Sequence, residues 1–521
     1  MGRKNKRGRD WGAFLENGSW SLGGDEEWLN DPWRRRAAQR RALDWCDRRK
    51  LPSAYTLMRL CTTLYVFASG WVRWRIRRMG SLSQSRQIAS EEFRRGAERL
   101  GATWIKLGQL IAAGEGVFPE ELVSECKKLH DRVRSEPWDR VERVLGRSFG
   151  TKWGELMVVE ATPLAAASIA QTHKVKLKDG TEGVIKIQRD GVAKRVEHDV
   201  RALSLIAPLL VGRIPVAALA NPPALIELFA RCIGEELDFT VEATNACDVA
   251  RVIKRYGAGG VVVPRPHPYL VEKEAMVMEY LPGRRIEEID KRLGGKVMDT
   301  LAGLILEGAL LGGVFHGDLH PGNMAVRDTG EVVLYDFGIV ARLEEYETGA
   351  FLQLVAGSAS GDWRRQLDAL VALGALPADG DLEALGKELG LDKGPFDPSQ
   401  LDADALAKET ARIARTLLDA GAVLPKALML WGKNLAFLDA AVGILCPERN
   451  LVELVGTSVG GFAKRHGSEV ANKLGSALIV DEAAIAAGLA ADGRTLRWSE
   501  MKERRNRIMQ RQAARIGKTD R

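Results

Sequence analysis

The spacing of apolar positions changes period several times along the 521 residues. Between 90 and 129 it is helical, with Phe93, Leu100, Trp104 and Leu107 set for a buried stripe and Pro119 at a helix start. From Leu156 the pattern shortens to that of strands. Residues 157–159, 169–175 and 183–187 read as three strands, the last two joined by the turn Lys178-Asp179-Gly180. Helical spacing returns after Ala193 and is interrupted at 261–263 and 275–280, two more strands, after which Pro282-Gly283 closes the small sheet. Beyond Asp299 the pattern is helical, including 345–470, apart from one hairpin: strands at 324–326 and 332–335 around Asp328-Thr329-Gly330. Asp379-Gly380-Asp381 starts like a calcium loop but lacks the glycine at the sixth position and the acid at the twelfth, so it reads as a polar loop.

Composition narrows the class. Hydrophobic residues at 45% and charged residues at 28% are ordinary for a soluble globular chain, which argues against disorder and against a polytopic membrane protein. The length suggests two to four units at about 150 residues each. Cys46, Cys61, Cys126, Cys232, Cys247 and Cys446 form no Cys-x-x-Cys pair, which disfavours zinc ribbons, redox dithiols and disulfide frameworks and suits a reducing compartment.

The net charge of +7 is unevenly spread, with arginine clusters at 34–36, 40–41, 48–49 and 73–78. The apolar run at 60–72 is shorter than the roughly 20 residues a spanning helix needs. Trp71 and Trp74 interleaved with arginine fit either a helix lying on an anionic membrane surface or a solvated basic helix packing its tryptophans on its own domain. Acidic residues such as Glu16, Asp25, Glu26, Glu27 and Asp31 break a transit-peptide pattern. No signal-peptide apolar region follows Met1 to Arg9, and no nucleic-acid-binding signature follows the basic segment. Near the C-terminus Asp481 and Glu482 interrupt the only candidate span, and a basic tail follows at 504–515. The expected location is cytoplasmic or peripheral to a membrane, with no nucleic-acid partner.

The chemistry lies in His316-Gly317-Asp318-Leu319-His320-Pro321-Gly322-Asn323 and Asp336-Phe337-Gly338. An Asp, an Asn five residues later and an Asp-Phe-Gly thirteen beyond supply what metal-assisted phosphoryl transfer needs: a carboxylate at the attacking group, then an amide oxygen and a second carboxylate on Mg²⁺. Asp-Phe-Gly alone would be ordinary turn chemistry; the combined spacing is far more specific. Val184-Ile185-Lys186 offers a strand lysine for the nucleotide's α and β phosphates. Such a lysine needs a carboxylate to fix its direction, and Glu197 and Glu242 both qualify on periodicity. Where a kinase carries its Gly-rich phosphate loop, this chain reads Pro163-Leu164-Ala165-Ala166-Ala167-Ser168. Alanine's Cβ hinders the close approach to phosphate that glycine permits.

With these motifs in order, the chain resembles the UbiB/ADCK-type atypical kinases, which have a protein-kinase-like fold. The resemblance covers roughly residues 85–345. It rests on Ala165, Ala166, Ala167 and Ser168 as an Ala-rich loop, Lys106-Leu107-Gly108-Gln109 as Lys-x-Gly-Gln, and Glu236-Leu237-Asp238 as Glu-x-Asp. It departs from the family at Leu110-Ile111-Ala112-Ala113-Gly114 after the Gln, and at Gly317-Asp318-Leu319-His320 before Pro-Gly-Asn.

The resemblance implies an α+β, protein-kinase-like two-lobed fold with an N-terminal helical extension carrying Lys-x-Gly-Gln. The units would be a basic segment at 1–84, the extension at 85–150, an N-lobe at 151–283, a helical C-lobe at 284–475 and a basic tail at 476–521. It implies that Lys106 and Gln109 fold over the site, Lys106 pairing with Glu236 beside Asp238, and that Glu242 partners Lys186. Asp318 would stand at the transferred phosphoryl group, Asn323 and Asp336 on Mg²⁺, and Met278, Glu279 and Tyr280 at the adenine hinge. ATP and Mg²⁺ are the implied cofactors. Slow ATP hydrolysis or autophosphorylation is the implied activity, in support of prenylquinone biosynthesis or lipid handling, with prenylquinone precursors, lipid or a quinone-biosynthesis complex as partners. His-Gly-Asp in place of His-Arg-Asp leaves a small-molecule phosphotransferase as one alternative, and a catalytically silent nucleotide-binding scaffold is another.

Overall fold

In the computed structural model, residues 33–78, 84–112, 118–129, 134–210, 222–256, 260–376, 380–391, scattered positions from 412 to 425, and 426–477 are described. Helices α1 (Trp33–Trp45), α2 (Ala54–Arg78), α3 (Ser85–Leu100), α4 (Ala102–Ala112), α5 (Glu120–Lys127) and α6 (Trp138–Phe149) come first. The expected stripe is buried at Leu100, Trp104 and Leu107, and Pro119 stands just before α5. Gly101, at φ 93°, breaks α3 from α4 at a backbone angle that side chains rarely adopt.

Next come β1 (Met157–Ala166), β2 (Ala170–Leu177) and β3 (Glu182–Gln188), then α7 (Val192–Leu210), α8 (Pro222–Glu236) and α9 (Phe239–Tyr256), then β4 (Val261–Val262), β5 (Pro266–Val271) and β6 (Ala275–Glu279). The main sheet is antiparallel throughout, in the order β1-β2-β3-β6-β5. Side chains on β3 alternate between two cores. Ile185 and Ile187 pack with Val141, Val144 and Leu145 of α6. Val184 faces the other way, toward Phe239, Ala243 and Cys247 of α9 and Met276 and Met278 of β6.

The largest core lies in the second unit, built from α10 (Gly294–Glu307), β7 (Val314–His316), β8 (Met324–Val326), β9 (Val332–Leu334) and β10 (Val340–Arg342). Helices α11 (Glu345–Ser360), α12 (Trp363–Ala372), α13 (Leu382–Leu389), α14 (Lys426–Leu445) and α15 (Leu451–Ala477) surround it. Met298, Leu301 and Ile305 of α10 meet Leu438, Val442 and Leu445 of α14 there, with Leu334 and Phe337 between.

The sequence reading needs four corrections here. Strand β5 is an additional member of the sheet; Pro266 and Pro268 disguise it, and proline is tolerated because β5 is an edge. The strand at 261–262 does not join that sheet but pairs parallel with β9. Residues 314–316 and 340–342 form an antiparallel pair that no turn signal joins in the sequence. Finally, Ala165 and Ala166 are strand residues opposite Thr172 and Gln171, so only Ala167 to Ile169 make the turn.

The apolar run at 60–72 and the arginines that follow it lie on one continuous helix, α2, of 25 residues. It shares a core with α3, α4, α7 and α8 through Val66, Ala97, Trp104, Val200 and Phe229. Its two tryptophans divide the earlier readings between them: Trp74 donates to the Ser85 carbonyl at 2.9 Å, whereas Trp71 is exposed with Arg75 over its ring. Among the described residues one helix, α14, is long and apolar enough to cross a membrane, a candidate additional to the one near 481, which lies outside them. Of its apolar window 39% is buried within the fold, with Leu438 and Asn434 fully so, while Ile444 is exposed.

A Cβ on Gly294 would collide with the carbonyl oxygen of Leu445, where α10 meets the end of α14. Gly294→Ala should therefore destabilise the chain by about 1–3 kcal/mol, read as a lower melting temperature in calorimetry. An unchanged melting temperature would contradict this seating of α14.

Candidate functional site

Lys186 sits in mid-strand on β3, where pairing on both sides, with Thr172 of β2 and Met276 of β6, fixes its backbone. Its side chain leaves on the α9 side, and its Nζ is 2.7 Å from Glu242 Oε1 and 3.1 Å from Asp336 Oδ2. The structure thus puts Glu242, rather than Glu197, against Lys186. Glu197 lies on α7, whose neighbouring Asp199 is committed to Arg59 of α2 and Thr103 of α4.

Three residues on one face of α9 grip the Asp-Phe-Gly segment and the strand after it. Glu242 Oε1 accepts the Phe337 N–H at 3.3 Å, Asn245 Nδ2 donates to the Phe337 carbonyl at 2.9 Å, and Asp248 pairs with Arg342 of β10. Their spacing of three residues is what one helix face requires. Asp238 Oδ1 accepts from the backbone N–H of Thr240 at 3.2 Å and from its hydroxyl at 2.6 Å, so it caps the start of the same helix.

The β8–β9 hairpin delivers Asp336, as its spacing predicts. Asp336 Oδ1 accepts the Gly338 N–H at 2.8 Å, and the side chain is 40% exposed, opening into the cleft. Asn323 ends the short turn Pro321–Asn323 and donates from Nδ2 to the Asp318 carbonyl at 3.1 Å, which leaves Oδ1 as the atom it could offer a cation. Among the described residues no three His, Cys, Asp or Glu side chains cluster to hold a metal alone. A cation here would depend on one carboxylate, one amide oxygen and phosphate oxygens, the donor set that suits Mg²⁺.

Charge sets the protonation of these groups. Burial alone would lower the Lys186 ammonium, but Asp336 and Glu242 reverse this and raise it. Burial opposes ionisation of Asp336, yet Lys186, the Gly338 N–H and Lys106 hold it well below the usual carboxylate range. Glu242 is pushed up by burial and by the charge of Asp336, against the pull of Lys186. Asp318 is 15% exposed, and Lys433 of α14 stands 2.6 Å from its Oδ1. Burial would raise Asp318, and Lys433, His320 and Lys106 together bring it down.

The covering elements come from α4 and α8. Lys106 Nζ is 3.0 Å from Glu236 Oε2, and a Cβ on Gly338 would stand 3.5 Å from Glu236 Cγ, so this pair lies directly over the Asp-Phe-Gly turn. Gln109 is half-buried on the same helix. At the alanine-rich turn Arg189 Nε donates to the Ala167 carbonyl and its backbone N–H to the Ile169 carbonyl, each at 2.8 Å. Ser168 is buried there. At the end of β6, Met278 lies opposite Val184 and is buried with it against Phe239 and Ala243, Glu279 is held by Arg265 at 2.8 Å, and the next residue, Tyr280, is exposed with Lys174 over its ring.

Sequence reasoning did not single out Arg189, Asn245, Lys433 or Asn434. The last two had one faint signal, a polar pair inside an otherwise apolar helix. Fully buried Asn434 donates to the His316 carbonyl at 2.6 Å and accepts from the Leu319 N–H at 3.4 Å.

Residues 128–370 match the model of the ABC1 atypical kinase-like domain. An uncharacterized protein of Mycobacterium tuberculosis is 30% identical over 397 residues, 74% of this chain and 81% of that protein. The probable protein kinase UbiB of Aliivibrio fischeri is 29% identical over 309 residues, 56% of each. Among solved structures, the Rv3197–erythromycin complex from Mycobacterium tuberculosis aligns over 65% of this chain and 90% of its own, at 20% identity and a TM-score of 0.40.

His316 binds both halves of the site: Nδ1 accepts the Asp318 N–H at 3.1 Å and Nε2 faces the Asp336 carbonyl. These partners require the neutral ring with its proton on Nε2, and burial lowers its pKa despite that carbonyl. The neutral form should persist below about pH 6.5. As the unfolded chain takes up a proton that the folded one refuses, the contribution of His316 to stability should decline toward acid pH. Ring-nitrogen NMR shifts check this, and titration at the free-histidine value would contradict it.

Proposed function

The chain belongs to the ABC1 atypical kinase-like family, and on that premise we propose that it binds Mg-ATP and transfers or hydrolyses the γ-phosphoryl group. The observation that carries the reading is the Lys186 ammonium held between Glu242 at 2.7 Å and Asp336 at 3.1 Å at the mouth of the cleft. Lys186 is oriented for the α and β phosphates, with Glu242 as its fixed partner, and Asp336 and Asn323 would hold the metal. Bound Mg²⁺ would neutralise charge on the β and γ phosphate oxygens. The attacking oxygen bonds to the γ-phosphorus as the bond from that phosphorus to the bridging oxygen breaks. ADP leaves, and the proton of the attacking oxygen passes to Asp318. Met278 to Tyr280 line the adenine side, and the turn after Ala166 covers the phosphates.

The pairing of Lys106 with Glu236 over Gly338 supports little activity on other proteins, because α4 and α8 stand where a substrate chain would approach. The Lys-x-Gly-Gln and alanine-rich motifs support a role in prenylquinone biosynthesis or lipid handling. An anionic membrane surface is a fitting partner for α2. Its exposed Leu57, Leu64 and Trp71 are seven residues apart, as are Met58, Tyr65 and Val72, giving two adjacent apolar ridges that run into Arg75 and Arg78.

Two outcomes follow. Asp336→Asn should abolish Mg-dependent nucleotide binding by calorimetry. In a deletion strain profiled for lipids it should also fail to restore the quinone pattern that wild type restores. Unchanged nucleotide affinity would overturn the ATP reading, and restoration by the variant would favour a silent scaffold. Separately, Trp71→Glu should weaken co-sedimentation with anionic phospholipid vesicles about tenfold, and equal binding by the variant would remove the membrane from the reading.

A further inference from the structure

Asp318 is held from outside its own loop. Lys433 and Asn434 stand side by side on α14, more than a hundred residues further along the chain and beyond the 128–370 segment that matches the family model. Asn434 takes the backbone on both sides of Asp318, at the His316 carbonyl and the Leu319 N–H. Gly317 admits α14 this closely, since a Cβ there would lie 2.8 Å from Leu430 Cδ1. The backbone of the loop is thereby fixed relative to α14, and Lys433 reaches the one carboxylate it carries, at 2.6 Å.

The other end of α14 is anchored too. Lys426, two turns earlier on the same face, pairs at 3.0 Å with buried Glu235, whose neighbour Glu236 takes Lys106. One helix therefore spans from the Glu-x-Asp segment to the phosphoryl-transfer loop through two lysines seven residues apart.

A carboxylate that accepts the proton of an attacking oxygen has to be ionised and correctly aimed before the reaction begins. A flexible, buried Asp achieves neither unaided. Within the loop, the residue two positions after Asp318 is His320, whose Nδ1 is taken by the Gly322 N–H. Lys433 supplies the ion pair from outside the loop, with its Nζ 2.6 Å from the Asp318 Oδ1.

We propose that Lys433 is a positioning residue of the phosphoryl-transfer site: it aims the Asp318 carboxylate, and through it the C-terminal helix α14 becomes part of the active centre. This rests on the reading of Asp318 as the group beside the transferred phosphoryl.

The test uses the full chain with Lys433→Met, Lys433→Gln and Lys433→Arg, and Asp439→Ala as a control on the exposed side of α14. ATP turnover is followed alongside Mg-ADP affinity and melting temperature. The neutral variants should lower kcat about tenfold or more, with KM for ATP and Mg-ADP affinity nearly unchanged. Lys433→Arg should recover most of the rate, and Asp439→Ala should match wild type. A neutral variant with the kcat of wild type overturns the inference. So does a loss of rate that only follows a loss of nucleotide affinity and melting temperature in both neutral variants. Failure of wild type itself to turn over Mg-ATP overturns the proposed function and this inference together, and it shows in the wild-type arm rather than the variants.

Discussion

A lysine ammonium beneath a sheet has to be matched by charge, because an unpaired buried ion costs several kcal/mol. Lys186 meets that requirement with two carboxylates from different elements, Glu242 of α9 and Asp336 after β9. The sheet, the helix behind it and the hairpin of the second unit are thereby brought into one register. The arrangement is not a source of net stability, since a well-packed apolar cluster of similar volume would serve as well or better. What it supplies is position: the three groups a metal–phosphate complex would meet are already gathered, and each backbone is held by bonds the ligand does not touch.

The surroundings are arranged to hold that register. Asn245 and Asp248 extend the grip of α9 along the Asp-Phe-Gly segment to β10, His316 joins the two loops across a neutral ring, and Asp238 caps the helix that carries Glu242. The cover over Gly338 comes from the N-terminal helices, while Asp318 is steadied from the C-terminal side by α14. The site is thus closed by α4 and α8 on one side and, beyond the segment that matches the family model, by α14 on the other.

Much of this was legible in the residues, and the rest was hidden for identifiable reasons. The Asp318, Asn323 and Asp336 spacing, the hairpin turn at Gly330 and the strand around Lys186 depend on local chemistry, which sequence records directly. The choice between Glu197 and Glu242 does not, because both lie on amphipathic helices and only the tertiary packing of α7 against α2 and α4 separates them. Strands β7 and β10 are as short as β8 and β9, but no turn signal joins them, since they pair across more than twenty residues. Lys433 left only the faint signal of a polar pair in α14, because its meaning lies in a partner far back along the chain. Arg189 was overlooked for the opposite reason: it follows β3 so closely that it reads as the polar end of a strand, while its side chain turns back to tie the alanine turn.

Both outer strands of the main sheet carry proline: Pro163 on β1, where the register also slips, and Pro266 and Pro268 on β5. A proline has no N–H to offer a neighbouring chain, and a slipped register bends the ladder away from one. The sheet is therefore poorly suited to recruiting an extended peptide as an extra strand, and equally protected from edge-to-edge aggregation. Through this sheet, then, a partner strand finds no easy purchase.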